Sequence, residues 1–290
     1  MQEPVIIEVP SPLGLRPTGL ELAPAALRRA GLHERLHATG AVQIDIPPYS
    51  DVRDPETQLL NAGAIAEVAR RTSQAVEAAL DDERFPVLLG GDCSILLGPL
   101  LSLRRRGRYG LAFLDGHADF VQPSDEPNGE VASLDLALAT GRGPDVLANL
   151  DGWWPLVRDE DVALIGYRVN EDDSFGDEHV RSTAITVIDC AEVHDTAAGS
   201  AVKKALATVA RPGLDGFWVH FDVDVLDDQL MPAVDYREPG GLTWAEAEGI
   251  LSGLLADERA RGLEVTIFNP RLDPDGSIAA RLADFIATVV

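Results

Sequence analysis

The residues of this chain that could do chemistry begin with Asp115, His117 and Asp119, which follow an apolar run at residues 111–114. Such a run is typical of a buried strand. Side chains two positions apart on a strand share a face, so the two carboxylates and the imidazole converge beyond the strand's carboxyl end. Groups of this kind are costly to bury unless they bind something. The spacing therefore predicts a site for a divalent metal ion.

A second acidic pair repeats this arrangement later in the chain. Asp222 and Asp224 end the apolar stretch at residues 217–221, and Cys93 lies on a turn that follows two glycines and can add a thiolate. Four aspartates packed together would repel one another strongly. Two divalent cations would offset that repulsion and share bridging carboxylates. In such a site Asp119 could accept a hydrogen bond from a bridging hydroxide and orient it.

Strands and helices must alternate along the chain to position these groups. The hydrophobic periodicity predicts strands at residues 5–9, 42–46, 86–89, 111–114, 162–167, 185–188, 216–221 and 263–268. It predicts helices at residues 24–37, 57–80, 95–106, 133–140, 200–210, 243–255 and 277–290, with Thr243 as an N-cap. This alternation favours a parallel sheet covered on both faces, in one domain over residues 1–290. Ligands bind such sheets at the carboxyl ends of the strands, where the polar clusters lie.

The composition is typical of a globular protein, with 46% hydrophobic and 25% charged residues among 290. A net charge of −24 makes nucleic acid and anionic membranes poor partners and would attract a cationic small molecule. Cys93 and Cys190 are the only cysteines, which excludes a disulfide framework. Because residues 1–4 lack a signal-peptide pattern and no apolar run is long enough to span a membrane, we expect a soluble, cytoplasmic protein.

Three motifs, in this order along the chain, resemble signatures of the ureohydrolase superfamily, which includes arginases, agmatinases and formiminoglutamases. They are GGDCS at residues 90–94, DGHAD at 115–119 and FDVDVLD at 221–227, followed by the weaker GGLT at 240–243 and NP at 269–270. The resemblance implies a three-layer α/β/α fold with a mostly parallel sheet of about eight strands, in homo-oligomers that are trimers or hexamers. It also implies a binuclear Mn²⁺ site whose bridging hydroxide attacks a guanidino or related carbon.

The resemblance assigns six metal-binding residues. One ion would be held by Cys93, Asp115, Asp119 and Asp222. The other would be held by Asp115, His117, Asp222 and Asp224, with Asp115 and Asp222 bridging. His220 precedes Asp222 and Asp224 in the sequence, and we expect it to alternate with them in direction, so that it supports the site or is structural and does not bind a metal.

Three positions depart from the family pattern. Cys93 stands where the family usually has histidine, and because a thiolate is softer than an imidazole, affinity should shift from Mn²⁺ toward Zn²⁺ or Fe²⁺. Ala132 stands where arginases have a proton-shuttling histidine, and Ile267 where they have a glutamate that clamps the guanidinium. Neither alanine nor isoleucine can transfer a proton or pair with a cation. These departures argue against L-arginine as the substrate.

Asn128, Glu130 and Glu171 fall where relatives contact the amino-acid end of the substrate; the alternative is that they are solvated polar loop residues.

Our leading hypothesis is a metal-dependent hydrolase of linear C–N bonds in a guanidino, hydroxyguanidino or amidino compound. The alternative is an arginase-fold protein with a degenerate metal site, either mononuclear or non-catalytic.

Overall fold

The protein, described here by a computed structural model for residues 2–38, 40–169 and 176–290, is built around one sheet in which all strand pairs are parallel. Its strands are β1 Pro4–Val9, β2 Ala41–Gln43, β3 Phe85–Gly90, β4 Gly110–Leu114, β5 Val162–Ile165, β6 Thr186–Ile188, β7 Phe217–Asp222 and β8 Ala260–Thr266. Their order across the sheet is β2-β1-β3-β8-β7-β4-β5-β6. Every residue of β3, β4 and β7 is buried, as the continuous apolar runs predict for a sheet covered on both faces.

Two layers of helices cover the sheet, and each layer has its own hydrophobic core. One layer holds α1 Ala23–Arg29, α2 Leu32–Arg35, α8 Cys190–Thr196, α9 Ala198–Val209, α10 Trp244–Leu255 and α11 Ser277–Val289. The other holds α3 Ala62–Asp81, α4 Leu97–Arg106, α5 Asp135–Ala139, α6 Asp145–Ala148 and α7 Asp177–Arg181. The three-layer α/β/α fold with an eight-stranded sheet is confirmed, and within the described residues the sheet is entirely parallel.

Element boundaries differ from the predicted ones for local reasons. The helix predicted at 24–37 is divided into α1 and α2 because Gly31 takes a left-handed conformation with φ of 84°. The helix predicted at 57–80 begins only at Ala62, since Asn61 is left-handed at φ 53°. Helices α6, α7 and α8 were not predicted, because four to seven residues are too few for a helical period to stand out.

The predicted cap of α10 is confirmed. The Thr243 hydroxyl accepts a hydrogen bond from the backbone N–H of Glu246, and the Glu246 carboxylate accepts one from the backbone N–H of Thr243. This reciprocal pair satisfies two backbone donors that a helix start otherwise leaves open. Among the residues that the structure describes, none belongs to a helix long and apolar enough to cross a membrane.

Candidate metal centre

The turns after β3, β4 and β7 meet at the carboxyl edge of the sheet. They bring together all six side chains that were predicted to bind metal, and each is at most 6% exposed. The six are Cys93, Asp115, His117, Asp119, Asp222 and Asp224.

The turn after β3 is shaped by Gly91 and Asp92. A Cβ at position 91 would lie 2.0 Å from the carbonyl oxygen of Ser11, so only glycine fits there. The Asp92 carboxylate accepts hydrogen bonds from the Ser11 hydroxyl at 3.0 Å and from the backbone N–H of Ser94 at 2.9 Å. These contacts direct Cys93 inward, where its Sγ donates to Oδ2 of Asp222 at 2.7 Å.

The turn after β4 is held by hydrogen bonds among the candidate ligands themselves. Oδ1 of Asp115 accepts from the backbone N–H of His117 at 2.7 Å, and Oδ1 of Asp224 accepts from the backbone N–H of Gly116 at 3.1 Å. Nδ1 of His117 lies 3.1 Å from Oδ2 of Asp224. Asp119 has a left-handed backbone, with φ of 45°, a conformation that aspartate tolerates better than most residues. Strain of this kind is concentrated at functional sites.

The turn after β7 is fixed from two sides. Oδ1 of Asp222 accepts from the backbone N–H of Asp224 at 2.7 Å. The buried guanidinium of Arg168 donates twice to the backbone carbonyl of Asp224, at 3.0 Å each. Burial opposes ionisation of Asp224, yet the neighbouring His117 and Arg168 lower its pKa to about 2.

Ionisation of the other aspartates of the cluster is electrostatically unfavourable. Burial raises the pKa of Asp115, Asp119 and Asp222, and repulsion from neighbouring aspartates raises each of them further. Oδ2 of Asp115 makes no hydrogen bond with any described residue. A cation placed among these groups would reverse the penalty, and carboxylate, imidazole and thiolate together suit a divalent metal.

His220 contributes more to this centre than the sequence analysis expected. It lies on β7 two positions before Asp222 and so shares its face, a spacing that could have identified it. Its Nδ1 is 2.6 Å from Oε1 of Glu264, its Nε2 is 3.7 Å from Oδ2 of Asp115, and its ring stacks on Phe113 at 4.3 Å. One ligand atom from each of Cys93, Asp115, His220 and Asp222 lies within 4.8 Å of the others, so His220 is itself positioned as a candidate ligand.

Asp135 is a second buried acid near the centre that the sequence analysis missed. One ligand atom from each of Cys93, Asp119 and Asp135 lies within 4.8 Å of the others. The available signal was a charged residue inside an otherwise apolar helical segment, between Leu134 and Leu136.

A cavity of about 200 Å³ opens above the cluster. Ala132, Ile267 and Cys93, the three positions that depart from the family pattern, are part of its wall. Ile267 has φ of 68°, a rare conformation for a β-branched residue. Asn128 and Glu130, two of the three predicted substrate contacts, also line the cavity.

The two oxygens of Glu130 are both engaged. Oε1 accepts from Nε of Arg16 at 3.1 Å, and Oε2 accepts from the Tyr236 hydroxyl at 2.9 Å. Glu130 is therefore held at the cavity wall by two contacts, unlike a freely solvated loop residue. The third predicted contact, Glu171, lies outside the described residues.

Comparison with known proteins agrees with this geometry. The Arginase family model matches residues 2–290. Arginase from Staphylococcus aureus (strain MRSA252) is 26% identical over 294 residues, covering 98% of this chain and 95% of the relative. The solved arginase of Bacillus caldovelox superimposes with a TM-score of 0.90 at 28% identity, covering 100% of this chain and 98% of that one. Proclavaminate amidino hydrolase from Streptomyces clavuligerus, at 18% identity and a TM-score of 0.75, shares the fold. The chain belongs to the arginase family.

Proposed function

We propose that this protein is a metal-dependent hydrolase of linear C–N bonds in a guanidino, hydroxyguanidino or amidino compound, with residues 1–290 acting as one metallohydrolase domain. The observation that carries the proposal is the cluster of six buried donor side chains at the base of a cavity of about 200 Å³. Membership of the arginase family supports the same reaction class.

Two divalent ions would occupy the cluster, Mn²⁺ by family resemblance, or Zn²⁺ or Fe²⁺ because of the thiol at Cys93. One would be held by Cys93, Asp115, Asp119 and Asp222, and the other by Asp115, His117, Asp222 and Asp224. When bound, such ions activate a water molecule near neutral pH and polarise the substrate.

Asp119 is the proposed catalytic residue. Burial and the nearby Asp115 and Asp135 raise the pKa of its carboxyl group well above the ordinary value, a penalty that bound cations would offset. As a carboxylate, Asp119 would accept a hydrogen bond from the attacking water and orient it. Since Ala132 cannot shuttle a proton, more of the proton transfer falls to Asp119 than in an arginase.

The cavity wall constrains the substrate class. At Ile267 the wall is apolar, so the reacting group would not be clamped by a carboxylate there, which argues against L-arginine. We propose that Asn128, Glu130 and Glu171 contact the far end of the substrate. We also propose a cytoplasmic homo-oligomer, a trimer or hexamer, acting on a cationic small molecule.

The test is hydrolysis of a panel of guanidino, hydroxyguanidino and amidino compounds by protein loaded with Mn²⁺, Zn²⁺ or Fe²⁺, assayed for urea and ammonia. Release of either product from at least one compound is expected. Turnover of none of them by protein that holds two ions per chain would overturn the proposal. One ion per chain with activity would favour a mononuclear enzyme, and less than one after loading would favour a non-catalytic protein.

Asp222→Asn provides a matched loss-of-site variant for that assay. Because this carboxylate would bridge the two ions, we expect the variant to bind neither tightly and to lose activity by at least about a hundredfold. Elemental analysis of wild-type and variant protein reports the metal content independently of turnover. A variant that keeps both ions would contradict the bridging role.

A further inference from the structure

Asp135 is a buried carboxylate that the proposed mechanism does not use. It is 0% exposed at the start of α5, and neither of its oxygens makes a hydrogen bond of normal geometry with a described residue. No lysine or arginine of the described chain forms an ion pair with it, whereas other aspartates of the protein are paired with arginines. Burying an unpaired carboxylate is strongly unfavourable, so it requires a compensating cation or a proton.

The position of Asp135 identifies where that cation would be. Its carboxylate, Sγ of Cys93 and a carboxylate oxygen of Asp119 lie within 4.8 Å of one another. Helix α5 is attached to the Asp119 turn through the backbone, since the Ala137 N–H donates to the Asp119 carbonyl at 3.3 Å. Three donor groups this close together could hold a single ion.

The length of the side chain at position 93 determines which neighbouring groups an ion bound there can contact. Sγ of a cysteine is attached directly to Cβ, whereas the nitrogens of a histidine lie one or two bonds farther out. An ion that must reach Cys93 therefore has a different set of neighbours from one held by an imidazole at the same turn. We propose that Asp135 is an additional carboxylate donor to the metal ion on the Cys93 side, and that it compensates for the replacement of histidine by cysteine. The inference rests on the proposed metal-dependent function.

A competing account must be separated from this one. Asp135 also lies close enough to His220 for the two to attract each other electrostatically. In that account Asp135 stabilises the fold near His220 and has no direct effect on the ion. In both accounts the charge of Asp135 acts on Cys93 through space. Only if the two residues share an ion should Asp135→Asn weaken binding on the Cys93 side and also shift the sulfur–metal band.

The experiment is a Co²⁺ titration of metal-free wild-type and Asp135→Asn proteins, followed by the near-ultraviolet charge-transfer band of a thiolate bound to cobalt. We expect the wild type to develop the band as the Cys93 side fills. In Asp135→Asn the band should shift in wavelength, and its midpoint should move to at least about tenfold higher Co²⁺ concentration. The second binding step, on the His117 side, should change less.

Asp273→Asn is the matched control, because Asp273 is also a buried aspartate near a helix start. Its oxygens accept from the backbone N–H groups of Ile278 and Ala279, at 3.2 and 2.8 Å, and it does not line the cavity. We expect this control to titrate like the wild type.

The outcomes separate failure of the inference from failure of the proposed function. Wild-type affinity and an unchanged band in Asp135→Asn would overturn the inference and leave the metal centre intact. Weaker binding with an unchanged band would also overturn it, in favour of a supporting role through His220. A wild type that binds no Co²⁺ or Mn²⁺ would overturn the metal centre itself. If Asp135→Asn does not fold, the same titration of Asp135→Glu, which keeps the charge, should give a shifted band at near wild-type affinity; a wild-type band would contradict direct ligation.

Discussion

The thiol of Cys93 is the residue that most distinguishes this centre. Burial raises the pKa of Cys93 well above its ordinary value, and the carboxylates of Asp222, Asp135 and Asp115 raise it further. Without an ion the group is therefore a protonated thiol, which donates a hydrogen bond to Oδ2 of Asp222. Metal binding must displace that proton, so affinity on this side should increase with pH more steeply than it would with a neutral histidine ligand.

Cys93→His should raise Mn²⁺ affinity at this position. An imidazole needs no deprotonation at neutral pH, adds no negative charge to the aspartates, and suits Mn²⁺ better than a thiolate does. We expect the dissociation constant to fall by about tenfold, which corresponds to about 1.4 kcal/mol. Equilibrium dialysis with elemental analysis measures it, and Cys190→Ser, a change at the other cysteine, is the control. Unchanged Mn²⁺ occupancy in Cys93→His would contradict the assignment of Cys93 as a ligand.

At the residue scale, the sequence predicts those site residues whose spacing along a strand shows which face their side chains share. Asp115, His117 and Asp119 could be grouped because they alternate at the end of an apolar run. His220 was recognisable by the same rule from its spacing to Asp222, although its contact with Glu264 crosses to a neighbouring strand. Asp135 could not be placed, since its proximity to Cys93 depends on how α5 packs against the Asp119 turn, a contact between distant segments.

At the scale of the elements, the strands were predictable and the turns that end them were not. Runs such as β4 are apolar throughout because both faces of a parallel sheet are covered, and that signal survives without knowledge of the fold. The direction of the chain after each strand depends on single backbone conformations. Asp119 and Ile267 both have a left-handed φ, and both side chains line the cavity. Their residue types alone do not predict this backbone conformation.

Helices α8 and α10 are joined by an ion pair whose contribution to stability should depend on pH. Nδ1 of His194 lies 2.8 Å from Oε1 of Glu246, and the hydrogen bond raises the pKa of His194. Burial opposes ionisation of Glu246, but His194 and Thr243 lower its pKa below the ordinary value. The histidine contribution is present below its unfolded pKa of 6.5 and is lost as pH rises through the folded pKa. The glutamate contribution is present above 4.5 and is lost as pH falls through its own folded pKa.

His194→Gln should therefore destabilise the protein most between about pH 4.5 and pH 6.5, and the destabilisation should disappear as pH rises through the folded pKa of His194. Because the His194 side chain is 40% exposed, the loss should not exceed about 1 kcal/mol. Urea unfolding of variant and wild type at several pH values measures the difference. His37→Gln, which removes another exposed histidine, controls for the general effect of a histidine loss. A difference that is constant with pH would show that the pair does not contribute through its charges.

At the scale of the whole molecule, the charge is the dominant feature. The chain carries 48 acidic and 24 basic residues, a net charge of −24. Part of that negative charge is buried at the carboxyl edge of the sheet, beneath the cavity. Two bound divalent ions would offset only a small part of it, so the molecule as a whole remains negative. A net charge of this sign attracts cations and repels anions at long range.

This net charge predicts that ionic strength discriminates among substrates. For a cationic guanidino or amidino compound, kcat/KM should fall by at least about threefold as salt rises from about 0.02 M to about 0.5 M, since screening shortens the Debye length from about 20 Å to about 4 Å. For a neutral analogue of similar size that the enzyme also hydrolyses, it should change little. The assay uses enzyme saturated with its metal at each salt concentration, so that metal loss does not enter the result. If both substrates lose activity in the same proportion, salt acts on the protein or its metal, and long-range attraction does not assist substrate capture.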